Sequence, residues 1–221
     1  MAKNDPAIGT AIAARYAALA GAKASLSCGA ALDIADLRPG ETVVDLGCGR
    51  GRDVIRAAEL VGAAGQAIGV DASEAMLAAA RAGRPPGLAR VTYVASDLER
   101  IDLPDSIADV VISNCTINHA RDKAAVYREI HRLLRPAGRV VVSDVVAERE
   151  LPASVREDPV AWAECYGGAI PEAEYLDAIR GSGFVDVEVL ARTDPYPKGG
   201  VEVRSITVRA RRATKPGKES S

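Results

Sequence analysis

Residues 42–53 read Thr42-Val43-Val44-Asp45-Leu46-Gly47-Cys48-Gly49-Arg50-Gly51-Arg52-Asp53, and this stretch decides the fold. Thr42 to Leu46 is an apolar run of strand length. Glycines then alternate at 47, 49 and 51, and a helical pattern begins at Arg52. Strand, glycine turn and helix in that order are how a doubly wound α/β fold builds a ligand cradle. Glycine is needed because a side chain would hold the ligand off the backbone, and because such turns often demand positive φ. The spacing is GxGxG rather than GxGxxG, and Asp45 stands two residues ahead of the first glycine.

Working outward, the same rhythm repeats. Before the cradle, Pro6 to Ala22 carries Ile8, Ile12, Tyr16 and Leu19 at helical spacing, and Ala30 to Leu37 predicts a second short helix ended by Arg38-Pro39-Gly40. We expect residues 1–36 to form a helical cap. After the cradle, Val54 to Val61 is helical, and Gln66 to Asp71 is a strand ending in an acid. Ser73-Glu74 caps a helix to about Ala82. Val91 to Val94, followed by Ser96-Asp97, and Ala108 to Ser113, followed by Asn114-Cys115, are further strands. Lys123 to Leu134 is amphipathic, and Arg139 to Val146 is a β-branched strand.

Residues 147–170 break the pattern with Leu151-Pro152, Asp158-Pro159 and Gly167-Gly168, and are read as an insertion over the pocket mouth. A helix over Pro171 to Arg180 leads to two strands, Phe184 to Ala191 and Val201 to Ala210. Lys198-Gly199-Gly200 turns between them, so they pair as an antiparallel hairpin. The predicted fold is α/β: a Rossmann-like, seven-stranded, mostly parallel sheet with helices on both faces, one domain over residues 37–210. Residues 211–221 read as a disordered polar tail.

The chain has 221 residues, enough to bury one good core. A net charge of −2 leaves no footprint for nucleic acid, and the basic run Arg209, Arg211, Arg212, Lys215, Lys218 reads as a solvated end. No signal peptide is visible and no stretch reaches the ~18 apolar residues of a membrane span, so a cytoplasmic protein is expected. The four cysteines, Cys28, Cys48, Cys115 and Cys165, are scattered without a CxxC pair, which argues against disulfides and structural zinc.

An acid beside the glycine turn would repel a pyrophosphate, so Asp45 suits a ligand with positive charge at that point, such as an amino-acid ammonium. Asp71 ends the second strand, where a carboxylate accepts from ribose hydroxyls. Asp97 follows the third, where it can accept from an adenine amine. Three such acids fit S-adenosylmethionine better than a nicotinamide dinucleotide. Gly47, Gly49, Gly51, Ala72, Met76, Leu98 and Asn114 complete the expected donor-binding set, with Arg50 turned away from the sulfonium. GxGxG, Asp71, Asp97 and the terminal hairpin together resemble the class I S-adenosylmethionine-dependent methyltransferases, over roughly Leu37 to Ala210.

The stretch Val110-Val111-Ile112-Ser113-Asn114-Cys115-Thr116-Ile117-Asn118, followed by Asp122-Lys123, is similar to the ISNCVINLSPDK signature of arsenite methyltransferases. Glu164-Cys165-Tyr166-Gly167-Gly168-Ala169 resembles that family's cysteine before a Gly-Ala step, and Ser27-Cys28-Gly29 its LGCGNP segment without the Asn-Pro. Gly40-Glu41-Thr42-Val43 and Val142-Ser143-Asp144-Val145-Val146 fit the family too. The resemblance implies Cys115 and Cys165 as thiolate ligands of trivalent arsenic, a soft centre that thiolates hold well. It also implies a thiol reductant such as glutathione, with a thioredoxin or glutathione system as partner. The family's further upstream cysteines have no counterpart in the 27 residues before Cys28, so Cys28 either supplies a third thiolate or is structural.

Cys48, between two loop glycines, reads as a small buried hydrophobe. His119 stands where the family has leucine; it is either a packing residue or, near the strand end, a general base. His131 reads as solvated. Two rival functions stay open: a small-molecule O-, C- or N-methyltransferase of quinone or natural-product type using His119, and a non-enzymatic sensor of S-adenosylmethionine or a metalloid.

Overall fold

The structure is a computed structural model describing residues 6–21, 30–88 and 90–214. In order it contains α1 (Pro6–Leu19), α2 (Ala31–Ile34), β1 (Thr42–Leu46), α3 (Arg52–Val61), β2 (Gln66–Asp71), α4 (Glu74–Ala82), β3 (Val91–Ala95) and β4 (Ala108–Asn114). A single 3-10 turn (Ile117–His119) precedes α5 (Lys123–Leu133), β5 (Leu134–Ala147), α6 (Ala153–Arg156), α7 (Pro159–Ala163) and α8 (Glu172–Gly181). The chain then forms β6 (Phe184–Arg192), β7 (Tyr196–Lys198) and β8 (Val201–Arg212).

The strands form one sheet in the order β3-β2-β1-β4-β5-β8-β6. The first five are parallel, and β8 runs antiparallel between β5 and β6. All five residues of β1 are buried, as a central strand covered on both faces must be. Alternation sends Val44 and Leu46 into the core beneath α5 and α8, and Val43 into the core of α2 and α3. The strand order reverses between β1 and β4, so the crevice for a ligand opens at their carboxyl ends.

Arg139 ties the lower edge together. Its guanidinium donates to both carboxylate oxygens of Glu41, at 2.7 and 3.0 Å, and to the carbonyls of Ala35 and Asp36. This fixes α2 to the start of β1.

Three readings of the sequence change. An eighth strand, β7, pairs with β8 through the Gly199-Gly200 turn, while β6 joins β8 across the longer connection. Pro197 at its centre hides this strand from pattern reading. The tail begins later than expected: Arg211 and Arg212 lie in β8, where Arg209 pairs with Glu188, Arg211 with Asp186, and Arg212 donates to the Ser106 hydroxyl and the Leu134 carbonyl. Residues 215–221 lie outside the described residues. His131 is half-buried rather than solvated; its ring meets Phe184 edge-on at 5.3 Å, and burial, with Arg212 nearby, holds its pKa below the usual histidine value. No helix among the described residues is long and apolar enough to cross a membrane.

Candidate active site

A cavity of about 660 Å³ opens at the carboxyl ends of β1, β2 and β4 and is roofed by α1, which presents Ile8, Ile12, Tyr16 and Leu19 to it. The volume is in the range of small-molecule and cofactor sites. α1 packs on α7 and touches α4. Glu164 and Cys165, just after α7, line the cavity beside Arg15 and Tyr16 of α1.

At the β1 end, Gly47, Gly49 and Gly51 all take positive φ (71°, 51° and 74°), as the turn requires. Gly47 has a second reason: a Cβ there would lie 2.1 Å from the Thr116 hydroxyl oxygen. Asp71 accepts from the backbone N–H of Gly49 and of Ser73, both at 2.8 Å, and so clamps the turn onto β2. Asp45 is 4% exposed, and among the described residues no group donates a hydrogen bond to it. Burial, with Asp53 and Asp71 close by, raises its pKa well above the ordinary aspartate value. A buried acid that meets no donor among the described residues calls for a cationic ligand group. That is the test S-adenosylmethionine passes here, since it carries an ammonium and a sulfonium.

Ala72, Asp97, Leu98 and Asn114 also line the cavity. Asn114 is held on both sides, accepting from the Ala31 N–H at 3.2 Å and donating to Asp53 at 3.0 Å. Two residues of the expected set are elsewhere. Met76 is fully buried in the packing of α4, whose cap is the Ser73 hydroxyl. Gly51 caps α3 and makes room for Tyr93, whose hydroxyl would sit 2.5 Å from a Cβ. Arg50, expected to turn away, is on the cavity wall. Cys48 is buried against Gly69, and burial pushes its thiol pKa up, as a structural cysteine requires.

At the other end the structure brings Cys115, Cys165 and His119 onto one wall. Cys115 follows β4 with φ 52°, and Cys165 follows α7 with φ 67°. Both are left-handed, a conformation that non-glycine residues hold only when their surroundings enforce it. The Cys165 thiol donates to the Cys115 carbonyl at 3.2 Å and lies 3.0 Å from His119 Nε2. The Tyr16 hydroxyl, arriving from α1, is 2.8 Å from the same Nε2 and 3.4 Å from Cys165 Sγ. Burial pushes the Tyr16 phenol up, so it stays protonated, and drives His119 down to about 4, so the imidazole is neutral at neutral pH. The sequence places Tyr16 on the apolar stripe of its helix but gives it no part in the site. The one available signal was a phenol on the apolar stripe of an alanine-rich helix, which needs a partner for its hydroxyl. Cys28 lies outside the described residues.

Beneath this wall, the Asn118 amide donates to Asp144 at 2.9 Å and to the Val145 carbonyl at 2.6 Å. Tyr175 donates to the other Asp144 oxygen at 3.2 Å. This buried network fixes the 3-10 turn that carries His119.

The fold, the glycine-turned strand end and the acidic donor pocket define an S-adenosylmethionine-dependent methyltransferase, and the chain belongs to the family described as "Methyltransferase domain", which it matches over residues 37–199. Within that family its relatives include the arsenite methyltransferases. That of Aquipseudomonas alcaligenes is 41% identical over 158 residues, covering 68% of this chain and 46% of the relative. The crystal structure of an arsenic(III) S-adenosylmethionine methyltransferase from Chlamydomonas reinhardtii superposes with a TM-score of 0.70 at 32% identity, covering 97% of this chain and 75% of that one. A phosphoethanolamine N-methyltransferase of Triticum aestivum is 31% identical over 168 residues, 76% of this chain and 32% of the relative. The chain thus spans about half the length, or less, of the curated relatives it matches.

Proposed function

We propose that this chain methylates trivalent arsenic held by Cys115 and Cys165. The observation that carries the reading is the pairing of these cysteines: they come from segments fifty residues apart, both in left-handed backbone, with the Cys165 thiol on the Cys115 carbonyl. Thiolates hold a soft metalloid and leave its lone pair exposed, so no base has to remove a proton from the nucleophile. S-adenosylmethionine, when bound, supplies the electrophilic methyl. The chain's task is then orientation: Asp45 and the glycine turn seat the donor's cationic end, while the cysteines present the acceptor from the other wall. A small thiol such as glutathione keeps both cysteines reduced, and the chain acts in a reducing, cytoplasmic setting.

The test is incubation with labelled S-adenosylmethionine, glutathione and arsenite or methylarsenite, followed by separation of arsenic species. Methylated arsenic is expected, and its loss in Cys115→Ser and in Cys165→Ser. Full turnover in both variants would sink the thiol-ligand mechanism.

One observation favours a second reading. His119 is neutral at neutral pH and its Nε2 lies 2.8 Å from the Tyr16 hydroxyl, on the wall where an O–H or N–H acceptor would need a base. In that case His119→Ala abolishes transfer to the small-molecule acceptor, while the cysteine variants keep it.

A further inference from the structure

The two ends of the cavity differ in charge. The donor end carries Asp45, Asp53, Asp71 and Asp97 with Arg50 and Arg52 of the glycine turn, while the Cys165 end carries Arg15, Arg121 and Lys198 with Glu99 and Glu164. These three cations come from separate elements, yet each contacts a residue within three positions of Cys165. Arg15 of α1 pairs with Glu164 at 3.4 Å. Arg121, after the 3-10 turn, stacks over the Trp162 ring at 5.2 Å, and Lys198 of β7 lies 5.7 Å from the Tyr166 ring centre. The last contact is built into the backbone: a Cβ on Gly199 (φ 58°) would fall 2.2 Å from the Tyr166 hydroxyl oxygen, so glycine is what lets Tyr166 close onto the β7–β8 turn.

The acids near them are Glu164, held by Arg15, and Glu99, which accepts from the backbone N–H groups of Arg121 and Asp122. The charges acting most strongly on His119 are Lys123, Arg15 and Lys198, all cations. A cavity end so arranged offers an acceptor more than thiolate contact. It suits one that brings an anion with it.

We infer that Arg15, Arg121 and Lys198 form an oxyanion subsite beside Cys165, which recognises a carboxylate or phosphate carried by the acceptor or by the thiol that delivers it. This rests on reading the Cys165 end as the acceptor site. Guanidinium and ammonium groups bind both oxyanions, the guanidiniums with the greater geometric demand.

Titration calorimetry of the full chain saturated with S-adenosylhomocysteine tests it without arsenic. Two matched pairs of ligands separate the sources: glutathione against its diethyl ester for carboxylate, and phosphoethanolamine against ethanolamine for phosphate. In at least one pair the oxyanion member is expected to bind roughly tenfold or more tightly than its neutralised or truncated partner. The Arg121→Gln/Lys198→Gln double variant, or Lys198→Gln alone should the double variant melt early, is expected to erase that difference. Equal binding within both pairs, or an unchanged preference in the variants, overturns the subsite. Binding with no arsenic methylation removes the arsenic assignment and keeps the subsite; arsenic methylation with no oxyanion preference does the reverse.

Discussion

Gly168 presses its Cα against the backbone of Asn118 so closely that a Cβ would lie 2.0 Å from the Asn118 carbonyl oxygen. This contact locks the segment after Cys165 to the turn that carries His119. It makes the acceptor wall a single packed unit rather than two loops that happen to meet.

Gly168→Ala therefore has no cheap relief, because the obstacle is backbone, with the Trp162 ring 2.7 Å away on another side. We expect a loss of about 1–3 kcal/mol or more in stability, by denaturant unfolding, together with loss of methyl transfer. An alanine variant with native stability and activity would show that the two segments are not locked.

Asp45→Asn separates the cost of a buried charge from its use. The Asp45 carboxyl is buried with no donor among the described residues, so the ligand-free variant should melt at the same temperature as the wild type or higher. Its affinity for S-adenosylmethionine should fall by roughly 10- to 100-fold, because a charge-assisted contact to the donor's ammonium is lost. Calorimetry that finds unchanged affinity places the ammonium elsewhere.

Arg139→Met cuts the Arg139–Glu41 pair, whose side chains are only 16% and 15% exposed. Removing one partner leaves a largely buried carboxylate at the start of β1 and frees α2. A loss of about 3–5 kcal/mol is expected, read as a lower denaturation midpoint at unchanged slope.

His119 gives a pH signature. Its folded value of about 4 lies below the ordinary 6.5, so as pH falls through 6.5 the unfolded chain takes up a proton that the folded chain refuses. The stability linked to neutral His119 is thus complete above pH 6.5 and drains away between 6.5 and 4, up to about 3 kcal/mol in total. His119→Gln should remove this component, so the wild-type and variant melting curves converge or cross on acidification. Parallel curves from pH 7 to pH 4.5 contradict it.

The sheet was legible because its signals were local: Asp45 with the alternating glycines, strands ending in acids at Asp71 and Asp97, and the cap at Ser73, whose side chain accepts from Met76. The cysteines could be picked out by their flanking residues. What bound them together could not. Tyr16, His119 and Cys165 meet only through the docking of α1 and α7, a packing event with no sequence period. Met76 and Gly51 misled for the opposite reason, since each sits at a position suggestive of ligand contact while its actual neighbours are a helix core and the Tyr93 ring.

The sheet order has a consequence for how the chain is made. β8 comes last among the described strands, yet it sits between β5 and β6. On a ribosome, the edge of β5 therefore waits with open backbone groups until residues 201–212 emerge, and β6, already synthesised, has nothing to pair with until then. Until then the sheet keeps an open flank at β5, and β8 closes it by pairing with two strands made before it.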